Sequence, residues 1–460
     1  MAIGGRRFDW AASIVLTLGS AVFWGLAHLA TWRRTTGLLL LGAETFLVLT
    51  GYLLVTRFQM RLLALAVQPG WLTALSIGLL VLGAAWAAII IRSYTLVRPA
   101  GRSGRARAAG AVLAGLLCVA VMTPLAYAAR MAHVSRDLVL SIFGTGTAPT
   151  GPWEGERRVN VLLLGGDSAP NRYGVRTDSI TLATIDVRTG RTVLFGLPRN
   201  LQRIPLPEGP ARDRFPYGFT GDPPASPGII NELFQYAEDH PEIVPHAPAG
   251  SRGPTLLKET VAGILGLPVH YYALVDMKGF AALIDAIGGV TVTVKSPIVY
   301  GRQHEGYIPA GTRKLSGEAA LWFGRSRTDS DDYSRMSRQK CLLHAVARQA
   351  DPATLLRSFD RLAGAAEQAV SSDIPPSLLP HLIELSGKVR GSHITSLQFV
   401  PPLINTADPD YDLIRRKVTE TLSKPHHTPR PTASPTPTPT ATTTATAAPP
   451  GPLSLDTTCE

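Results

Sequence analysis

The first 130 residues constrain this chain most. Four apolar runs follow one another there, with Asp9 and Glu44 as the only acids and no lysine. Runs of about 20 apolar residues match the hydrocarbon thickness of a bilayer. They fall at approximately 10–31, 38–56, 71–91 and 108–129. A cleaved signal peptide fits poorly, because further runs follow the first and no small-residue cleavage site appears. Arginine counts in the connecting loops set the expected orientation. Arg33, Arg34, Arg92, Arg98, Arg102, Arg105 and Arg107 lie in the two loops that share one side, against Arg6, Arg7, Arg57 and Arg61 on the other. Seven against four places everything after the fourth run outside the cytoplasm, and this holds even if the first run does not cross.

The same arginines account for much of the net charge of +11: thirteen fall within the first 136 residues, beside or between apolar runs. The basic balance is therefore a topology signal, not a nucleic-acid footprint. Cys118, Cys341 and Cys459 form no framework, and their spacing suits neither zinc nor a redox pair. So few cysteines fit an exported protein that makes no use of disulfides. At the far end, "PRPTASPTPTPTATTTATAAPPGP" cannot bury a core and reads as an extended, partly polyproline spacer or a plain disordered terminus. The expected organisation is a four-span membrane region (1–136), a linker (137–153), a soluble domain (154–420) and a Pro/Thr-rich tail (421–460).

Within the soluble domain the periodicity alternates. "VNVLLLGG" is an apolar run ending in glycines, the pattern of a buried strand. "SITLATIDVRTGRTVLFGLPRN" gives two strand-like runs around Arg188-Thr189-Gly190, a hairpin. "PTLLKETVAGILG" reads as a helix with Pro at its start and Gly at its stop. "YYALVD" reads as a strand, "KGFAALIDAIGG" as a helix, "VTVTV" as a strand, and 334–350 as a longer helix. The alternation predicts an α/β domain with a mixed central sheet covered by helices, preceded by an all-α transmembrane region.

Polar residues at strand ends are where chemistry is expected. In "GGDSAPNRYGVRTDS", Asp167 ends the first strand, and Arg176 and Asp178 open the next. Two carboxylates brought together across a loop suit Mg²⁺, which takes one or two carboxylates plus phosphate and water oxygens, although loop aspartates are more often turn residues. "GLPRNLQRIP" places Arg199 and Arg203 after the hairpin. In "FGRSRTDSDDYSRMSRQK", Arg325 and Arg327 alternate, and Arg335, Arg338, Gln339 and Leu342 share one helical face. On pattern alone, a self-neutralising charged surface is the simpler reading of this last stretch.

Taken in order, "LLLGGDS…RTDSITLATID", "GLPRNLQRIP", "HYYALVDMKGFAALIDAIGGVTV" and "LSGEAALWFGRSRTDSDDYSRMSRQK" resemble the LytR–CpsA–Psr family of cell-envelope ligases. The resemblance covers about 159–350 and extends to about 400. It implies transfer of a glycopolymer from a polyprenyl-pyrophosphate carrier onto peptidoglycan by a membrane-anchored, multi-pass protein whose catalytic domain is extracytoplasmic. It implies Mg²⁺ or Mn²⁺ on Asp167 and Asp178. Pyrophosphate contacts are implied for Arg176, Arg199, Arg203, Arg325 and Arg327, with Arg335, Arg338 and Gln339 lining the same pocket. The implied catalytic set is Arg176, Asp178 and Arg199, and the implied partners are lipid-linked glycopolymer, peptidoglycan and membrane, with no nucleic acid. On this reading the charged stretch is one wall of a pyrophosphate pocket, and Asp329, Asp331 and Asp332 orient its arginines. Three positions depart from the pattern: Asn200 stands where Asp is frequent, Ile229 where a cation is frequent, and Lys340 where a second Gln is frequent. A non-enzymatic membrane regulator and a polyprenyl-pyrophosphate binder or pyrophosphatase are the alternatives. No DNA-binding signature supports the regulator.

Overall fold

A computed structural model of the chain describes residues 10–31, 33–98, 104–143, 153, 156–167, 174–223, 227–301, 306–327, 331–349, 370–423 and 451–459. The chain divides into two compact units, Met1–Ser141 and Ile142–Glu460.

The first unit is helical. Helix α1 (Trp10–Val22) stops at Gly25, whose φ of +92 is left-handed, and a short α2 (Leu26–Ala30) follows. A Cβ on Gly25 would meet the Gly37 carbonyl oxygen at 2.4 Å, so only glycine permits this crossing with α3 (Arg34–Arg57). The break frees backbone donors, and side chains meet them. Trp24 N donates to Glu44 Oε2 at 2.7 Å, and Ala27 N to Ser20 Oγ at 2.8 Å. The expected first span, 10–31, is thus two helices meeting at Gly25, with 13 described residues in α1. After α4 (Gln59–Leu65), α5 (Pro69–Val97) and α6 (Gly104–Phe143) carry the third and fourth apolar runs. Among the described residues three helices are long and apolar enough to cross a membrane, in α3, α5 and α6. The last continues through 137–143, which had been expected to be linker.

The second unit is built on a mixed sheet. Its first three strands are β1 (Arg158–Asp167), β2 (Arg176–Asp186) and β3 (Thr192–Leu197), joined as an antiparallel meander. Short α7 (Pro210–Arg214) and α8 (Leu233–Asp239) lead to α9 (Arg252–Leu265). Buried Leu257, Val261, Ile264 and Leu265 give α9 its apolar face, and Gly266 ends it in the left-handed region. Strand β4 (Tyr271–Asp276) then runs parallel to β1. Helix α10 (Met277–Ala286), two small strand pairs (β5, Val290–Val294, with β8, Gly311–Leu315; β6, Ile298–Tyr300, with β7, Gly306–Ile308), α11 (Gly317–Arg325) and α12 (Asp332–Gln349) follow. The domain closes with β9 (Val370–Ser372), α13 (Leu379–Arg390), β10 (Ile394–Gln398) and α14 (Tyr411–Ser423). With β11 at Leu453–Ser454, the large sheet has the order β11-β10-β3-β2-β1-β4-β9.

Two of these features correct the sequence reading. Strand β11 (Leu453–Ser454) and α15 (Leu455–Thr458), from the end of the expected tail, dock on the domain. Cys459 forms a disulfide with Cys341 of α12, 118 residues away. A fully buried Leu455 anchors the segment, and β11 covers what would be an open strand edge. Residues 424–450 of the Pro/Thr-rich stretch lie outside the described residues.

The two faces of the sheet are filled differently. Leu162, Leu164, Ile180, Leu182 and Phe195 pack one face against α8, α9 and α14 into the main core. The other face meets α10, α11 and α12, and a cavity remains there.

Candidate active site: a cationic end on an apolar cavity

The cavity floor follows from strand register. Thr181, Leu163 and Ala273 form one cross-strand row over β2, β1 and β4, and Ser179, Gly165 and Val275 form the next. Side chains two apart point to the same face, so all six lie on one side of the sheet, and all six line the cavity. Small residues at Gly165 and Ala273 leave room, and Phe280, Leu321 and Leu342 supply apolar walls. The volume is about 230 Å³, above the roughly 150 Å³ that accommodates benzene. Asp178, Arg325, Arg327, Arg335 and Gln339 form its polar end.

A bulge aims Asp178. Gly165 pairs with Ser179 and Gly166 with Thr177, so Asp178 is the extra residue on β2. Arg199 Nη1 donates to Asp178 Oδ1 at 2.7 Å, and Asn231 Nδ2 donates to the same oxygen at 3.2 Å. Asp332 links the arginines: its Oδ1 lies 3.2 Å from Arg199 Nε, and it accepts both Nε and Nη2 of Arg335, at 3.2 and 3.0 Å. Arg335, only 3 % exposed, also donates to the Asp178 backbone carbonyl at 3.0 Å. Burial pushes the Asp178 carboxyl up, but the bond and charge of Arg199, the Asn231 amide and the Arg335 charge outweigh it and hold it below the usual carboxylate range.

Arg327 stands differently. It is exposed, lines the cavity, and makes no hydrogen bond or ion pair among the described residues. Partial burial and the charges of Arg199 and Arg335 push its pKa down, against the pull of Asp332 and Asp178. A cation placed so near two others favours an incoming anion.

The remaining expected residues take varied places. Asp167, buried at the end of β1, meets Arg325 Nη2 at 3.4 Å. Arg176 is exposed opposite Asp167 in the strand register. Arg203 is largely exposed, pairs with Asp408 at 2.7 Å, and is not among the cavity-lining residues. Arg338 donates to the carbonyls of Phe323 (2.8 Å) and Ser326, and Gln339 to that of Gly324 (3.1 Å). Both thus satisfy the C-terminal end of α11, and Gln339 also lines the cavity. Asp331 caps α12 by accepting from Ser334 N at 2.7 Å, and its charge also acts on Arg338. Asp332 does orient two. Asp329 lies outside the described residues.

Sequence reasoning gave no role to Asn231, which is buried and bonded to Asp178. It also missed Asp276, which lines the cavity at the end of β4 and caps α10 through Gly279 N at 2.7 Å. No group of three or more His, Cys, Asp or Glu residues that could hold a metal ion occurs among the described residues. Asp167 and Asp178 are hard oxygen donors at neighbouring strand ends, the donor type a divalent cation takes, and each also meets an arginine.

Fold and cavity together define a class: an α/β domain whose central cleft has an apolar body and a cationic end. The chain belongs to the LytR_cpsA_psr family, which it matches over residues 129–408. It is 27 % identical over 243 residues to the polyisoprenyl-teichoic acid–peptidoglycan teichoic acid transferase TagU of Oceanobacillus iheyensis, covering 52 % of this chain and 66 % of that one. It is 32 % identical over 163 residues to the probable cell wall biosynthesis protein LcpB of Corynebacterium glutamicum, covering 34 % and 38 %. Thus the chain spans at most about two thirds of these relatives' length. A solved family structure, YwtF (TagT) with bound octaprenyl pyrophosphate lipid, aligns at a TM-score of 0.39 and 19 % identity over 60 % of this chain and 92 % of that one.

Proposed function

We propose that this chain is a membrane-anchored phosphotransferase that moves a glycopolymer from a polyprenyl-pyrophosphate carrier onto peptidoglycan during cell-wall assembly, with its catalytic domain outside the cytoplasm. The observation that carries this reading is the two-part lining of one cavity: apolar side chains from β1, β4, α10, α11 and α12, ending at Arg325, Arg327 and Arg335. A prenyl chain matches the first part and a pyrophosphate the second. The similarity to TagU, a polyisoprenyl-teichoic acid–peptidoglycan teichoic acid transferase, supports the same reading.

Each residue has work on this scheme. Arg325, Arg327 and Arg335 bind pyrophosphate oxygens, since guanidinium groups pair with phosphate bidentately and stay protonated. Arg199 reaches the same anion from beside Asp178. The acceptor hydroxyl oxygen forms a bond to the sugar-bearing phosphorus, and the bond from that phosphorus to the bridging oxygen breaks. Polyprenyl phosphate leaves with the electron pair, and the hydroxyl proton passes to a base. Catalysis here rests on positioning and on neutralising oxygen charge. Asp167 and Asp178 would hold Mg²⁺ or Mn²⁺, which when bound neutralises charge on the leaving phosphate.

The test uses the full chain in detergent with lipid-linked polymer and peptidoglycan. Asp178→Ala and Arg199→Ala are each expected to lower transfer by roughly a hundredfold or more. Undiminished transfer by both variants overturns the site. Release of polyprenyl phosphate at the same rate without peptidoglycan would instead make water the acceptor.

A further inference from the structure

Arg325 is the last residue of α11, where a side chain ordinarily swings freely. Here it is held from two sides. One is the buried carboxylate of Asp167, 3.4 Å from Nη2. The other is aromatic: the guanidinium carbon lies over the indole of Trp322, 5.5 Å from the ring centroid. Trp322 and Arg325 are one helical turn apart, so α11 itself brings them together. Tyr300 of β6 stacks on that indole at 5.3 Å and 16°. Tyr300 in turn packs against the buried cluster of β5, β8 and α12. Beside this stack, Ser326 Oγ donates to the Val299 carbonyl at 2.8 Å, tying the end of α11 to the strand that carries Tyr300.

We propose that Trp322 is a positioning residue for the anion site: backed by Tyr300, its indole fixes the guanidinium of Arg325 between an aromatic face and the Asp167 carboxylate. The inference rests on the reading that this end of the cavity takes a pyrophosphate. Asp167 alone leaves the guanidinium free to rotate about the contact. An aromatic face defines its plane, shields one side from water and still leaves N–H groups for a second anion. A half-buried tryptophan beside a cavity-lining arginine therefore does more than fill space. It sets the orientation in which the arginine meets its ligand.

Binding of inorganic pyrophosphate to the full chain in detergent, measured by calorimetry at low ionic strength, tests this. Trp322→Leu is expected to weaken binding about fivefold, in keeping with the strength of a partly exposed cation–π contact. Trp322→Phe, which keeps an aromatic face, is expected to bind within about twofold of the parent and to melt at the parent temperature. In an Arg325→Gln background, Trp322→Leu should cause no further loss. An equal loss with and without Arg325, or parent-like binding by Trp322→Leu, overturns the positioning role while leaving the anion site intact. If Arg325→Gln binds as tightly as the parent, the anion reading of this end falls, and the inference falls with it.

Discussion

Among the single residues, Asp332 determines how the arginines of the site stand. One carboxylate meets Arg199 and both forks of Arg335, and Arg335 is almost wholly buried. A buried guanidinium stripped of its partner is costly, about 3 kcal/mol or more. Asp332→Asn should therefore lower the melting temperature clearly. Pyrophosphate supplies the missing negative charge, so it should raise the melting temperature of this variant more than that of the parent. Equal ligand-induced shifts in calorimetric melts would show that Asp332 and the ligand do not share these cations. The residues of this cluster were legible in the sequence as a set, but their division of labour was not. Helical spacing put Arg335, Arg338 and Gln339 on one face, yet spacing cannot show that Arg338 reaches back to the α11 carbonyls. Nor could it separate Asp331, a helix cap, from Asp332, a charge partner one residue on.

Among the elements, those with a strong period were legible. The strand-glycine pattern of β1, the turn between β2 and β3, and the Pro and Gly limits of α9 each encode a local structure. The docked C-terminal segment was not legible, because two strand residues and one helical turn carry no period, and a disulfide across 118 residues leaves no local trace. The segment grips one face of α12: Cys459 bonds Cys341, while Asp456 accepts His344 at 2.8 Å and Arg348 Nη2 at 2.5 Å. His393, at 3.0 Å, completes the cluster. Closing so long a loop stabilises by roughly 3–5 kcal/mol in the chain-entropy view. Cys459→Ser should lose about that much in denaturant titrations, and docking should then lean on Asp456. Burial pushes this carboxyl up, but the bonds from Arg348, His344 and His393 outweigh it and hold it at about 2. A carboxyl depressed in the folded state contributes stability above its unfolded pKa, about 3.9, and loses it as pH falls toward the folded value. In the serine variant, hydrogen exchange of the segment's amides, taken relative to the intrinsic rate at each pH, should therefore accelerate between about pH 4 and pH 2. Unchanged exchange across that window would mean that Leu455 burial alone holds the segment.

For the whole molecule, the broken first helix bears on membrane orientation. If α3, α5 and α6 cross and the broken first run does not, Arg6 and Arg7 share a side with Arg33 and Arg34 and with the α5–α6 loop. That side then holds Arg6, Arg7, Arg33, Arg34, Arg92, Arg98, Arg102, Arg105 and Arg107. The other holds Arg57, Arg61, Arg130 and Arg136. Four apolar runs set the Arg6–Arg7 pair against the loop arginines. Three crossings would make them agree, and the positive-inside rule would then put the arginine-rich side in the cytoplasm. Hydropathy could not reveal this, because the Gly25–Gly37 approach that breaks the first run leaves its apolar content unchanged. The expected outcome is a reporter pair with opposite readings. An alkaline phosphatase fused after Arg136 should be active, and one fused within 99–103 inactive, while a fluorescent protein that folds only in the cytoplasm should show the reverse. A fusion at the N-terminus separates the two counts, because three crossings place it with the 99–103 loop in the cytoplasm and four crossings place it outside. An inactive phosphatase after Arg136 would put the cavity in the cytoplasm, away from any peptidoglycan acceptor, and would overturn the transferase reading at its root.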